Sequence, residues 1–166
     1  MNGYSRSKAV PQPRVSGEAI DHIVFRLGEQ RYAVPVGKVV ELDKPPICAV
    51  VPNTPNFVLG VTNVRGDILS VLDLRALLGI LRVVRNDAVR LLTVRSADGE
   101  MRTGLIVDSL QGMRSVTPAA LRAIRNQGDV DTSVAAQAFD DKDGEVRVFD
   151  VDRFFDCPQI KRLSGR

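Results

Sequence analysis

Histidine and cysteine are the residues from which catalytic triads and zinc sites are most often built, and this chain has few of them. His22 is the single histidine among 166 residues, and Cys48 and Cys157 stand far apart in the sequence. Because such sites need several of these side chains at defined spacings, we expect a packing or surface role for His22. The two cysteines are interpreted as buried thiols of a reducing compartment.

Acidic residues offer the remaining candidates for chemistry. Asp140, Asp141 and Asp143 lie in the segment DDKDGE, which lacks the later glutamate of a calcium-binding loop, and a hairpin turn rich in Asp and Gly explains them better. Asp73 and Asp150 each precede a short apolar run, which favours helix capping over a pair of catalytic carboxylates. The chain also lacks a Gly-rich phosphate loop. The sequence therefore predicts no enzyme, no metal site and no cofactor.

Composition favours one cytoplasmic globular domain with polar ends. The chain is 44% hydrophobic with a net charge of +3, and we find neither a secretory signal nor an apolar run long enough to span a membrane. Residues 1–18 are polar and predict a disordered tail, and residues 157–166 predict a C-terminal tail. Aromatic residues make up only 5%, which leaves no exposed platform for stacking nucleic-acid bases.

Short apolar runs separated by Gly, Asp and Asn predict a mainly β protein built from hairpins. One hairpin surrounds the turn at 28–31, and a second surrounds Arg65-Gly66. The segment VGKVVEL predicts a short helical turn, ICAVV a further strand, and TPAALRAI a short helix with Thr117 as N-cap. Residues 125–133 predict a mobile loop.

The second half of the chain repeats the order of elements in the first. The turn Gly-Glu-x-Arg at 28–31 recurs at 99–102, and Asp73 corresponds to Asp150. Each half is too short to bury an apolar face alone, so we expect two small barrels that share a hydrophobic core. The predicted domain covers residues 19–156, with the first barrel at about 30–85 and the second at about 88–150, each with added edge strands.

The repeat contains a motif that resembles the chemotaxis coupling protein (CheW) family. The family's stretch Gly-Val-x-Asn-x-Arg-Gly, followed by an apolar strand and Asp-Leu-Arg, is present from Gly60 to Gly66 and from Asp73 to Arg75. The second-half pattern Gly-x-x-Val-Asp is present from Gly104 to Asp108. The resemblance covers residues 20–156 and is strongest up to residue 79.

The resemblance implies a fold and a function. The fold is mainly β, with two five-stranded SH3-like barrels packed side by side around a shared hydrophobic core and with short helical turns. The function is that of a non-enzymatic adaptor between a chemoreceptor's cytoplasmic tip and the regulatory domain of a CheA-type histidine kinase. Such a protein meets the membrane only indirectly, through receptor arrays, and binds no nucleic acid. By motif position, the receptor-binding residues are Val39, Glu41, Arg65, Ile106 and Val107, and the kinase-binding residues are Gly60 and Ile68.

Two departures from the family leave alternatives open. Ser70 stands where proline is common, which keeps one more backbone N–H on that strand, and Asp67 places a charge beside the Arg-Gly turn. A divergent adaptor that binds receptor but not kinase fits the same residues. A small basic barrel that binds nucleic acid is a further alternative from a different functional class.

Overall fold

Eleven strands and four short helices lie in residues 17–80 and 86–163, the part of the chain that the computed structural model describes. The strands are β1 (Ile20–Leu27), β2 (Gln30–Pro35), β3 (Val39–Asp43), β4 (Val58–Val64), β5 (Asp67–Asp73), β6 (Arg90–Arg95), β7 (Arg102–Val107), β8 (Ser109–Val116), β9 (Arg122–Ala123), β10 (Gln137–Asp141) and β11 (Gly144–Val148). The helices are α1 (Leu74–Leu78), α2 (Val130–Val134), α3 (Val151–Asp156) and α4 (Pro158–Leu163), and 3-10 turns cover Val36–Lys38 and Pro118–Ala120.

The strands form two sheets, and each sheet takes strands from both halves of the chain. The six-stranded sheet has the order β8-β1-β2-β11-β10-β9, and the five-stranded sheet has the order β3-β6-β7-β5-β4. In both sheets the first hairpin of one half joins the second hairpin of the other half through a parallel pair, β2 with β11 and β7 with β5. The predicted barrel limits, 30–85 and 88–150, therefore cut across both sheets, because a repeat in the sequence does not specify which hairpins pair.

Alternation along the strands sends side chains into three apolar clusters. One cluster is formed by residues of the six-stranded sheet, and another is formed mainly by residues of the five-stranded sheet. The third and largest cluster lies between the sheets, so the two barrels share a core as predicted. It includes Phe25, Leu27, Tyr32 and Val34 of the six-stranded sheet, Leu72, Leu92, Leu105 and Val107 of the five-stranded sheet, and Phe149, Val151, Phe154 and Phe155 at the end of the repeat.

A buried ion pair ties the two sheets together beside this core. Arg75 of α1 is only 2% exposed, and its guanidinium lies 3.1 Å from the Asp108 carboxylate. The other oxygen of Asp108 accepts a hydrogen bond of 2.6 Å from the backbone N–H of Gly28, in the turn between β1 and β2. Since Asp108 links β7 to β8, the contact joins the crossover between the sheets to a hairpin of the six-stranded sheet.

A second ion pair closes one end of the six-stranded sheet. Arg31 of β2 is 6% exposed and donates two hydrogen bonds of 2.7 Å to the Asp141 carboxylate at the end of β10. Arg114 of β8 donates a third, at 3.2 Å. The hydrogen bonds from Arg31 hold the pKa of Asp141 well below its ordinary value. Asp141 is thus a structural carboxylate at a β-turn, and the hairpin-turn interpretation of DDKDGE is confirmed.

The predicted caps at Asp73, Gly79 and Asp150 are confirmed, whereas the Thr117 side chain makes no cap hydrogen bond. The Asp73 side chain accepts from the backbone N–H groups of Arg75 and Ala76 at the start of α1, and Gly79 ends that helix with φ of 73°. Asp150 caps α3 in the same way, through the N–H of Arg153. Both carboxylates therefore accept hydrogen bonds from otherwise unpaired N–H groups of short helices. This is the capping role that the sequence favoured over a catalytic pair.

Five local predictions differ from the structure. After the 3-10 turn at Val36–Lys38, the residues Val39 and Val40 belong to strand β3, and ICAVV forms only an isolated bridge at Ala49. The helix predicted at TPAALRAI is reduced to one 3-10 turn, and the predicted loop at 125–133 contains the start of α2. Most of the predicted C-terminal tail forms α4, with Ile160 buried. Residues 1–16 of the predicted N-terminal tail lie outside the described residues.

Close approach of two backbones closes the five-stranded sheet at Gly60. Ala49 exchanges two backbone hydrogen bonds with Val61, at 2.8 and 2.9 Å, and so brings the β3–β4 connection against β4. Gly60 has φ of 143°, and a Cβ added there would lie 2.3 Å from the Ala49 carbonyl oxygen. Only glycine fits this position without moving the connection.

We expect Gly60→Ala to lower the free energy of unfolding by about 3 kcal/mol, because the new methyl group clashes with backbone and the φ angle is strained. Gly37→Ala is the matched control, since nothing lies within 4 Å of a Cβ at that glycine and its φ is not positive. Urea unfolding of both variants measures the difference. Equal stabilities for the two variants would contradict the role given to Gly60.

Asp141 predicts a pH dependence of stability. Because its folded-state pKa is depressed below the ordinary 3.8, its contribution is fully present above that pH and is lost as the pH falls further. Asp141→Asn should therefore be less stable than the wild type at neutral pH, and the gap should shrink below about pH 4. Thermal unfolding between pH 3 and 7 measures the gap, with exposed Asp140→Asn as the control. A gap independent of pH would exclude the pair as its origin.

Candidate binding surface

The hairpin between β4 and β5 ends in a two-residue turn made by Arg65 and Gly66. Val64 and Asp67 form the last cross-strand pair, and both turn residues have positive φ, 54° and 91°. This is the geometry of a type I′ turn, which suits the twist of the flanking strands. The Asn63 side chain accepts a hydrogen bond of 2.9 Å from the Gly66 N–H and fixes the turn from within.

Arg65 occupies a backbone conformation that a long side chain rarely adopts. A left-handed φ at a non-glycine residue costs about 1 kcal/mol, and such strain is concentrated at functional sites. The strain is not compensated by burial, since the side chain is 83% exposed. Gly66 adopts its positive φ without strain, whereas Arg65 adopts one at the other turn position with its guanidinium at the surface.

An ion pair positions the Arg65 guanidinium. It lies 3.5 Å from the carboxylate of Glu41 on β3, and the Glu41 side chain is 22% exposed. β3 and β4 are the two edges of the five-stranded sheet, so the pair joins these edges at the surface. The sequence analysis placed Glu41 and Arg65 in one site, and the structure brings them together. A pair this exposed contributes little to stability and mainly orients the arginine.

Apolar side chains are exposed around the same sheet. Nine large apolar residues are exposed in the described part of the chain, and five of them belong to the five-stranded sheet or to its β3–β4 connection. Exposed apolar side chains are therefore concentrated on the five-stranded sheet and its β3–β4 connection, as is typical of a surface that binds a partner. The five are Val40, Leu42, Ile47, Val50 and Ile68.

The other predicted site residues divide into surface and core. Val39 is half-buried on β3, and Ile68 on β5 is 70% exposed. Ile106 and Val107 are buried, the first inside the five-stranded sheet and the second between the sheets, so neither side chain is available to a partner. Gly60 is also buried, and its role is the close approach to Ala49.

A groove missed by the sequence analysis runs beside Ile68. It has a cavity volume of about 540 Å³ and lies between β5, the start of β7 and the C-terminal helices. Its apolar lining includes Ile68, Met101, Phe155, Ile160 and Leu163. The signal for α4 was present in the sequence, as Pro158 followed by apolar residues at positions 160 and 163, but it lies in a segment that we assigned to the tail.

His22 and Cys157, which were considered as candidates for chemistry, are both buried in the structure. His22 is buried, its Nδ1 lies 2.8 Å from the Ile20 carbonyl oxygen, and burial lowers its pKa. Burial likewise raises the pKa of the Cys157 thiol, which keeps it protonated and unreactive. Within residues 17–80 and 86–163, no three His, Cys, Asp or Glu side chains are grouped closely enough to hold a metal ion. No helix in those ranges has the length and hydropathy required to cross a bilayer.

Comparison with known proteins gives a consistent family. A family model described as "CheW-like domain" matches residues 21–158. "Chemotaxis protein CheW" of Helicobacter pylori is 37% identical over 93 residues, which cover 56% of this chain and 55% of that protein. "Protein FrzA" of Myxococcus xanthus is 33% identical over 95 residues, covering 57% and 58%. The chain thus spans little more than half the length of these curated relatives.

A solved structure supports the architecture. The scaffolding protein TtCheW of Thermoanaerobacter tengcongensis superposes with a TM-score of 0.76 at 23% identity, covering 85% of this chain and 95% of that one. At this identity the match establishes the fold alone. It confirms the predicted fold class, a mainly β protein of two small SH3-like barrels with short helices, although one sheet has a sixth strand, the two-residue β9.

The strain at Arg65 predicts that function and stability conflict at this turn. Arg65→Asn should raise the free energy of unfolding by about 0.5–1 kcal/mol relative to Arg65→Ala, because asparagine tolerates a left-handed φ and Asn-Gly favours type I′ turns. Both variants lose the Glu41 pair, so their difference isolates the backbone. Urea unfolding measures it. Two variants of equal stability would mean that the arginine conformation is not strained.

Proposed function

The chain belongs to the CheW-like domain family, and from that premise we propose that it is a non-enzymatic adaptor of chemosensory signalling. It binds the cytoplasmic tip of a chemoreceptor and the regulatory domain of a CheA-type histidine kinase, and so is found in the cytoplasm at membrane receptor arrays. The printed names of its relatives, chemotaxis and scaffolding proteins among them, support this class of function.

The single observation that carries the proposal is the exposed, strained arginine of the Gly-Val-x-Asn-x-Arg-Gly motif. Arg65 lies at the tip of a hairpin whose other motif residues have structural roles: Gly60 allows the sheet to close and Asn63 holds the turn. Replacing Arg65 by asparagine or glycine would make a better turn. The arginine at this position serves to contact a partner, in an orientation of the guanidinium that Glu41 sets.

We assign two surfaces to the two partners. The receptor side comprises Arg65 and Glu41 with Val39 and the exposed apolar residues of β3, while Ile106 and Val107 support it from the core. The kinase side comprises Ile68 and the groove beside it, with Gly60 acting through the backbone. Apolar contacts supply most of the affinity on both sides, and Arg65 supplies orientation.

Both contacts are expected to be of micromolar strength, about −8 kcal/mol each, and to gain from multivalent arrays. Arg65→Ala should weaken binding of a receptor-tip fragment about tenfold while leaving the unfolding curve unchanged. Isothermal titration calorimetry with the receptor fragment and, separately, with the kinase regulatory domain measures both affinities.

Two comparison variants separate the surfaces. Exposed Arg95→Ala removes the same charge from β6 of the same sheet and should change neither affinity. Ile68→Ser should weaken kinase binding and spare receptor binding. Loss of kinase binding alone in Arg65→Ala would reverse the assignment of the surfaces, and unchanged affinities for both partners would remove Arg65 from the interface.

A further inference from the structure

One end of the six-stranded sheet is lined by arginines. Along β1, β2 and β8, the residues that follow the interior apolar positions toward this end are Arg26, Arg31 and Arg114, each two residues from a buried Val24, Ala33 or Val116. These three arginines, with Gln111 and Asp143, line a cavity of about 360 Å³. We call this cavity the arginine mouth.

Two of these arginines hold a carboxylate of the protein itself, that of Asp141, beside the arginine mouth. Asp141 receives both terminal N–H groups of Arg31 at 2.7 Å and the Nε–H of Arg114 at 3.2 Å. The Nε–H of Arg31 is donated to the Gln111 side-chain oxygen at 3.1 Å. Arg31 thus donates from all three of its nitrogens, and the bidentate geometry is the one by which guanidinium groups hold carboxylates and phosphates.

No described residue compensates the charge of Arg26 in this way. It stands directly opposite Arg31 in the register of β1 and β2, and like charges in that arrangement destabilise a sheet. Its Nε is buried, and no hydrogen-bond partner for it lies among the described residues. Asp141 is engaged by two arginines, and Asp143 lies at the exposed rim, so the cavity keeps an excess positive charge.

We propose that the arginine mouth binds a small oxyanion, either a phosphate group or a carboxylate, through Arg26 and the Nη2 group of Arg114, whose Nη1 donates to the Met113 carbonyl oxygen. The anion neutralises the excess charge of the cavity and accepts hydrogen bonds from the Arg26 guanidinium, whose Nε–H has no acceptor among the described residues. A purely structural role leaves Arg26 unexplained, because it stands opposite Arg31 and pairs with no carboxylate in the described part of the chain. The site lies on the other sheet from Arg65 and does not depend on the proposed adaptor function.

Amide NMR titrations of the full chain at constant ionic strength test the site, with inorganic phosphate as one probe and succinate as the other. We expect saturable shifts at the amides of Arg26, Arg31 and Gln111. Arg26→Met should weaken binding about tenfold, the loss of one charge-assisted bond pair. Arg95→Met, an exposed arginine on the five-stranded sheet, is the charge-matched control and should keep the affinity. Tighter binding of phosphate indicates a phosphorylated ligand, and tighter binding of succinate indicates an acidic side chain.

Thermal unfolding separates ligand binding from a structural role. Arg26→Met should leave the melting temperature equal to or above that of the wild type, since a repulsive pair is removed, and phosphate should raise the melting temperature of the wild type more than that of the variant. Arg114→Gln gives an independent loss of affinity. Shifts with neither anion, shifts that persist unchanged in both variants, or a lowered melting temperature for Arg26→Met would each overturn the proposal.

Discussion

The exchange of hairpins between the two halves of the chain is the constraint on which the rest of the structure depends. Each sheet is completed by a parallel pair, β2 with β11 or β5 with β7, whose strands come from different repeats. Neither half therefore closes a sheet alone, and both must be present to bury the central cluster. Arg75 and Asp108 secure this arrangement where the chain crosses between sheets, because a buried ion pair tolerates loss of neither partner.

This constraint bears on the proposed adaptor function. A shared core fixes the Arg65 hairpin, the Ile68 groove and the six-stranded sheet relative to one another, since packed interiors resist deformation. An adaptor needs that fixed geometry more than it needs strong contacts, because weak contacts repeated in an array multiply through effective concentration. The strained turn at Arg65 is then a local loss of stability that a well-packed domain tolerates in exchange for an arginine at the surface.

The hairpin turns and two helix caps were predictable from the sequence, and the pairing of hairpins was not. Hairpin turns and the caps at Asp73 and Asp150 depend on neighbouring residues only, so composition and spacing reveal them. Strand partners depend on chain-wide closure, and the hairpin exchange has no local signal. The burial of Ile106 and Val107 was not predictable for a related reason: β7 is buried on both faces, and an uninterrupted apolar run does not distinguish a groove from a core. Helix α2 was missed because tertiary contacts stabilise it, among them a hydrogen bond of 2.8 Å from Tyr32 to Asp131. The exposed turn position of Arg65 was predictable because a motif and a two-residue turn coincide there.

The most direct test of the central claim is the rate of phosphorylation of a CheA-type kinase, measured with and without this protein in the presence of receptor signalling fragments. The account predicts that receptor control of the kinase appears only when the protein is added, and that the protein is recovered unmodified in a complex containing both partners. Receptor control of equal size without the protein, or a complex that contains only one of the two partners, would contradict it.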